Sequence, residues 1–201
     1  MMIYVIDTGY AGQHTDVVIK SGDDVIGHGT TMIDYIKDYN RKANITSVQI
    51  SNLTPSTDEL IKIIEDLIDC VTADDIVLFT WIIEKDHRFD LVVSRLVARC
   101  TVVCAAGNLT APVAAYSPCT VLGIHTITAL NKSGTRAHFS NYGPGTIPMF
   151  GTNITSSSGQ QYTGTSVAAA IYTALLSRNS SPRFQRRAFS LLSRKFANEL
   201  R

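Results

Sequence analysis

The stretch Ile45–Phe79 opens on Ile45-Thr46-Ser47-Val48-Gln49-Ile50 and closes on Ile76-Val77-Leu78-Phe79. Both ends are short and rich in Val and Ile, the pattern of buried strands. Between them Ser56 and Glu59 form a capping box, and Leu60, Ile63, Ile64 and Leu67 fall on one face, which predicts a helix over Ser56–Ile68. A strand, a helix and a second strand in this order predict parallel pairing with a right-handed crossover, so the chain is of the α/β class.

The same alternation extends in both directions. Met2–Ile6 reads as a strand running into Asp7-Thr8-Gly9, Met32–Tyr39 as a helix, Phe89 to Ala98 as a helix with Phe89, Val92, Val93, Leu96 and Val97 on one side, and Thr101–Cys104 as a strand. A mostly parallel central sheet flanked by helices in three layers is expected, its strands covered on both faces. In such sheets the working groups sit beyond the carboxyl ends of the strands, where Asp7 and Asn108 fall. From about Ala111 to Gly164 the chain is richer in Gly, Pro, Ser and Thr and reads as loops with short strands such as Val121–Ile127. A helix is expected near Ser166 and through Leu176. The domain is read as 1–178 and is followed, at 179–201, by a basic amphipathic helix. There Phe184, Ala188, Leu191, Leu192 and Phe196 oppose Arg183, Arg186, Arg187, Arg194 and Lys195, a helix expected to dock on the domain or extend from it.

At 201 residues the chain can bury roughly 70% of its unfolded surface without staples. With 45% hydrophobic and 17% charged residues it is globular, and a net charge of +1 argues against a nucleic-acid partner. No run reaches the ~20 apolar residues of a membrane span. The N-terminal apolar run stops at Asp7 without a basic region, so no secretion signal is expected. Cys70, Cys100, Cys104 and Cys119 show no CxxC spacing, which points to reduced thiols in the cytoplasm. In an intracellular protein the sequons at Asn44, Asn52 and Asn153 are accidental.

Four fragments carry chemistry. Asp7 ends a buried strand and is placed to orient an imidazole. His28 lies in Gly27-His28-Gly29-Thr30, where flanking glycines allow close backbone approach at a helix start. Asn108 closes Ala105-Ala106-Gly107-Asn108, where small residues leave room for a substrate side chain and an amide can donate to an oxyanion. Ser166 follows Gly164-Thr165 ahead of a helix-forming run, beside free backbone N–H groups. Taken singly, each has a plainer reading: a strand-end turn, a turn histidine, a tight turn after glycine and a serine N-cap.

In this order, the four fragments resemble the subtilisin-like (subtilase) serine peptidases, and the segment Ala137-His138-Phe139-Ser140-Asn141-Tyr142-Gly143 looks like that family's loop between its Asn and Ser motifs. The resemblance covers about Ile3–Leu176. It implies a three-layer subtilisin-like fold and a serine endopeptidase in which Ser166 attacks, His28 is the general base and Asp7 orients it. The Asn108 side chain and the Ser166 N–H would form the oxyanion hole. Activity would fall as His28 protonates, near pH 6–7 for an imidazole of pKa about 6.5.

The chain departs from the family pattern at several points. Ala170 stands where the family has a proline four residues after the serine, and Ile171 where a histidine is common. Thr80-Trp81-Ile82-Ile83 stands where the substrate-binding strand commonly reads Ser-Leu-Gly-Gly, so bulk beside the cleft is expected to narrow a side-chain pocket and restrict the substrate range. Thr80, Trp81, Ile82, Ala105, Ala106 and Gly107 are thus the expected substrate-binding residues. A minimal member without a pro-region is expected, because the chain starts at its first core strand. No cofactor and no metal are expected, Asp23-Asp24 reading as a loop and not as part of a calcium site. The expected partner is a protein or peptide substrate, the chain itself among the candidates.

Two other readings stand beside this one. Asp7-Thr8-Gly9 is also the signature of aspartic peptidases, but those need a second such carboxylate, and the chain has one copy. The other reading is a subtilase-like fold that binds peptides or assembles with a partner without cleaving.

Overall fold

The structure, a computed structural model, describes residues 1–50 and 55–178. The amphipathic helix expected over 179–201 and the sequon at Asn52 lie outside the described residues. Among the described residues eleven strands occur: β1 (Ile3–Asp7), β2 (Val17–Ile19), β3 (Ile45–Gln49), β4 (Ile76–Phe79), β5 (Ile83–Glu84), β6 (Thr101–Ala105), β7 (Tyr116–Ser117), β8 (His125–Leu130), β9 (Ile147–Phe150), β10 (Ile154–Thr155) and β11 (Gln161–Tyr162). The helices are α1 (His28–Tyr39), α2 (Thr57–Ile68), α3 (His87–Val97) and α4 (Thr165–Ser177), with a 3₁₀ turn at Val113–Ala115.

Seven strands form one sheet in the order β2-β3-β1-β4-β6-β8-β9. Every neighbouring pair in it is parallel. β1 is flanked by β3 and β4, with Ile3 in register with Ile45 on one side and with Ile76 on the other. The chain leaves β1 through α1 to β3 and then returns through α2 to β4. The carboxyl ends of β1 and β4 therefore bound a crevice where the winding direction changes, the place where such sheets bind ligands.

Alternation along the strands divides the interior in two. Ile3 and Val5 pack with Met32, Ile33 and Ile36 of α1 and with Val167, Ala170 and Ile171 of α4. Ile6, Val77 and Phe79 pack on the other face with Leu60 and Ile64 of α2 and Phe89, Val93 and Leu96 of α3. All four residues of β4 are buried, as a strand covered on both faces requires. α4 is buried almost all round, and Ala168, Ala169 and Ala170 have no exposed surface. The helix runs unbroken through Ala170 and Ile171, the two departures noted above.

The helix starts follow local chemistry. Ser56 Oγ accepts from Glu59 N at 3.2 Å, capping α2 as its sequence predicts. α3 begins at His87, earlier than the periodicity from Phe89 implies, because Asp86 caps it by accepting from Arg88 N and Phe89 N. One strand is corrected. The segment expected over Val121–Ile127 begins at His125 and ends at Leu130. Its first residues make a turn instead, with Ile124 N donating to Val121 O and Gly123 at φ +89°. The Thr80–Ile83 segment is likewise not a strand throughout: only Ile83–Glu84 pairs, antiparallel, with Tyr116–Ser117.

Candidate active site

β1 ends at Asp7, and the next described contacts of its side chain are all with donors. Thr8 N donates to Asp7 Oδ1 at 2.7 Å, and Thr80 Oγ1, just past the end of β4, donates to Oδ2. His28 Nδ1 lies 2.7 Å from Oδ1 and 2.9 Å from Oδ2. A carboxylate only accepts, so Nδ1 carries the proton and Nε2 of the neutral ring is left with a free lone pair. The Asp7 side chain is 2% exposed and that of His28 21%, so the pair is fixed inside and reaches the surface through the imidazole.

His28 is the first residue of α1. Two glycines let it come this close to β1. Gly27 caps the helix at φ +87°, and a Cβ at Gly29 would stand 2.3 Å from Gly9 O and 3.2 Å from Asp7 Cβ. Burial by itself pulls the His28 pKa down. The hydrogen bond and charge of Asp7, with the charge of Asp24, outweigh that, and the net shift is upward from 6.5.

Ser166 is the second residue of α4, with Gly164 as N-cap in extended backbone. Its Oγ donates to Thr80 O at 2.9 Å. Thr80 therefore touches both halves of the constellation, binding Ser166 through its carbonyl and Asp7 through its hydroxyl. Asn108 follows β6. Its Oδ1 accepts from Thr165 N and Thr165 Oγ1, both at 2.9 Å, which turns Nδ2 toward the start of α4. Nδ2 lies 3.4 Å from where a Cβ on Gly164 would be, and no described residue accepts from it. A donor without a partner beside a helix N-terminus can hold a developing negative charge. Asp7, His28, Asn108 and Ser166 thus gather at one end of the sheet from four elements.

The expected substrate-binding residues divide. The Trp81 indole is turned inward: Nε1 donates to Ile6 O at 2.8 Å and the ring packs on Phe79 and Phe89. Ala105 and Ala106 point their methyls into the two cores, one on each face. Gly107 adopts φ +97°, and Ile82 Cδ1 lies 2.3 Å from the site of a Cβ there. The room expected beside the three small residues is thus taken up at Gly107 by Ile82.

Several contributors were not read from the sequence. Tyr162 packs edge-on against His28, with ring centroids 5.9 Å apart. Asn141, fully buried, donates to Ala106 O and accepts from Leu109 N and Ala111 N, which fixes the loop bearing Asn108. Asp24, read as a loop residue, is buried and accepts hydrogen bonds around the start of α1. An aspartate three residues before a glycine N-cap is the signal that could have marked it. Among the described residues, no cluster of His, Cys, Asp or Glu could hold a metal ion, and the four cysteines are free thiols. No helix among them is long and apolar enough to cross a membrane.

In fold the chain is similar to a cold-adapted subtilisin-like serine proteinase, with TM-score 0.78 and 23% identity over 89% of this chain and 76% of the other. It is also similar to the prenylagaramide maturation protease PagA, with TM-score 0.72 and 16% identity over 88% of this chain and 74% of the other. No curated protein matches it in sequence. The family model that describes the subtilase family matches residues 79–186, more than half of the chain, from the end of β4 through Asn108 and Ser166. With that match added to the sheet order and the residues gathered at its carboxyl edge, the chain belongs to the subtilase family of serine peptidases.

Proposed function

We propose that the chain is a serine endopeptidase that cleaves a restricted set of peptides through an acyl-enzyme. Ser166 Oγ rotates off the Thr80 carbonyl, passes its proton to His28 Nε2 and attacks the substrate carbonyl. Asp7 holds the ring in the tautomer that leaves Nε2 basic and stabilises the imidazolium. Asn108 Nδ2 and the Ser166 N–H receive the oxyanion. Protonated His28 then gives its proton to the leaving amine, and water repeats the sequence on the acyl-enzyme. The observation that carries this reading is the buried Asp7–His28 pair, joined by way of Thr80 to the hydroxyl of Ser166.

Peptide hydrolysis by purified variants tests it. Ser166→Ala should lower kcat by about 10⁶-fold, as loss of the serine does in subtilisin. Asn108→Ala should lower it by about 10²–10³-fold, the worth of one oxyanion donor. Equal turnover by wild type and Ser166→Ala would end this mechanism, and no turnover by the wild type would favour the other reading, a subtilase-like protein that binds peptide without cleaving. That reading draws on the Ser166 hydroxyl resting on Thr80 and on Ile82 standing over Gly107.

The restricted range follows from the same isoleucine. With Ile82 packed on Gly107, the wild type should favour peptides with small side chains at the subsite there. Ile82→Gly should admit larger ones. Broad digestion of unfolded casein by the wild type would contradict the restriction.

A further inference from the structure

α1 starts without the usual devices. Its N-cap is Gly27, which has no side chain to offer, and its first turn holds no acidic residue. The first-turn N–H groups still need acceptors. Asp24, from outside the helix, supplies one of them at Thr30 N and holds the backbone that leads into the helix. Its Oδ1 accepts from Ile26 N at 3.1 Å, Gly27 N at 2.7 Å and Thr8 Oγ1 at 2.8 Å. Its Oδ2 accepts from Thr30 N and Thr30 Oγ1, both at 2.7 Å. Thr8 Oγ1, while donating to Asp24, accepts from Gly29 N at 2.9 Å.

These bonds enclose His28 on both sides. Gly27, Gly29 and Thr30 flank the histidine, and Thr8 follows the carboxylate that the histidine must meet. Asp24 thus ties the end of β1 to the start of α1 across the joint where the Asp7–His28 contact is made. Asp24 as a whole residue is 8% exposed, and burial makes its bonds stronger than surface ones and a missing partner costly.

We propose that Asp24 is a positioning residue: through Thr8, Gly27 and Thr30 it sets the His28 imidazole against Asp7 in the geometry that proton transfer requires. The inference rests on the reading of His28 as the general base. Asp24 does not touch the reacting atoms. It acts by fixing the backbone that carries the ring, and by adding negative charge near it. Among the described residues, the titratable groups that face His28 are Asp7 from β1, Asp24 from the loop before α1 and Tyr162 from β11. Tyr162 is neutral over the range concerned, its pKa raised by burial and by Asp7. Removing the Asp24 charge therefore makes the imidazolium easier to deprotonate.

The test compares wild type with Asp24→Asn, Thr8→Val and Thr8→Ser, each first checked for a cooperative thermal transition. Two readouts are taken: the pH profile of peptide hydrolysis, and the His28 ring titration by NMR. Asp24→Asn should lower kcat by about 10²-fold, the cost of a roughly 1 Å misplacement, with KM little changed. The acid limb of kcat/KM and the His28 titration should both move to lower pH. Thr8→Val, isosteric but unable to link Asp24 to Gly29, should lower kcat in the same direction, and Thr8→Ser should restore it. Should Asp24→Asn not fold, the Thr8 pair carries the test. A folded Asp24→Asn or Thr8→Val with wild-type kcat overturns the proposal, as does an unmoved His28 titration in Asp24→Asn. If the wild type hydrolyses no peptide, the peptidase reading fails, and the NMR titration still decides whether Asp24 governs His28.

Discussion

An imidazole acts as a base only when neutral, so in the proposed mechanism the direction of the His28 pKa shift sets the acid limit of activity. Asp7 and Asp24 together raise that pKa above 6.5 despite burial. The acid limb of kcat/KM should therefore lie above pH 6.5, higher than an ordinary histidine implies, and a pH–rate profile checks it. A limb below 6.5 would contradict the shift. The same group contributes to stability in the opposite sense. With its folded pKa above the unfolded value, the contribution is complete below pH 6.5 and is lost as pH rises through the folded pKa. Activity thus grows over the window in which this contribution fades. At this scale the sequence was legible where a residue stood in telling company: glycines beside His28, a strand before Asp7, a helix after Ser166. Asp24, Asn141 and Tyr162 were not legible, because what they do depends on partners brought near by the fold. Asn141 acts on Ala106, Leu109 and Ala111, some 30 positions earlier in the chain.

At the scale of elements, the α2–α3 layer supports the site from below. Phe89 of α3 is fully buried and meets both Phe79 at the end of β4 and Trp81 just beyond it. Trp81 in turn donates to Ile6 O, one residue before Asp7. Phe89→Ala should destabilise the protein by about 3–5 kcal/mol, the usual cost of emptying a buried aromatic site. Urea unfolding measures it, and a loss under about 1 kcal/mol would show that the layer closes over the gap. Elements with a full period of apolar residues were read nearly to the residue, as with Ile76–Phe79 and α2. The strand after Cys119 was displaced because Val121 and Leu122 continue an apolar pattern into a turn that Gly123 closes with a positive φ. Periodicity cannot see that. The two-residue strands β5 and β7 carry no period at all and exist by pairing with each other.

Over the whole molecule, parallel strands set in the order β2-β3-β1-β4-β6-β8-β9 bring the ends of β1, β4 and β6 to one edge. The start of α1 and the start of α4 approach the same edge from one face, their side chains sharing a single core with Ile3 and Val5. Strand–helix alternation made the α/β class legible, but not which strand lies beside which; that order depends on which buried faces match, and a linear pattern does not encode it. The convergence of Asp7, His28, Asn108 and Ser166 is the point on which the functional reading turns. Treating the purified protein with a fluorophosphonate and mapping the adduct by mass spectrometry tests it most directly. A single adduct on Ser166, abolished in His28→Ala, is the predicted result; an unlabelled Ser166 in folded, peptide-hydrolysing protein would contradict it.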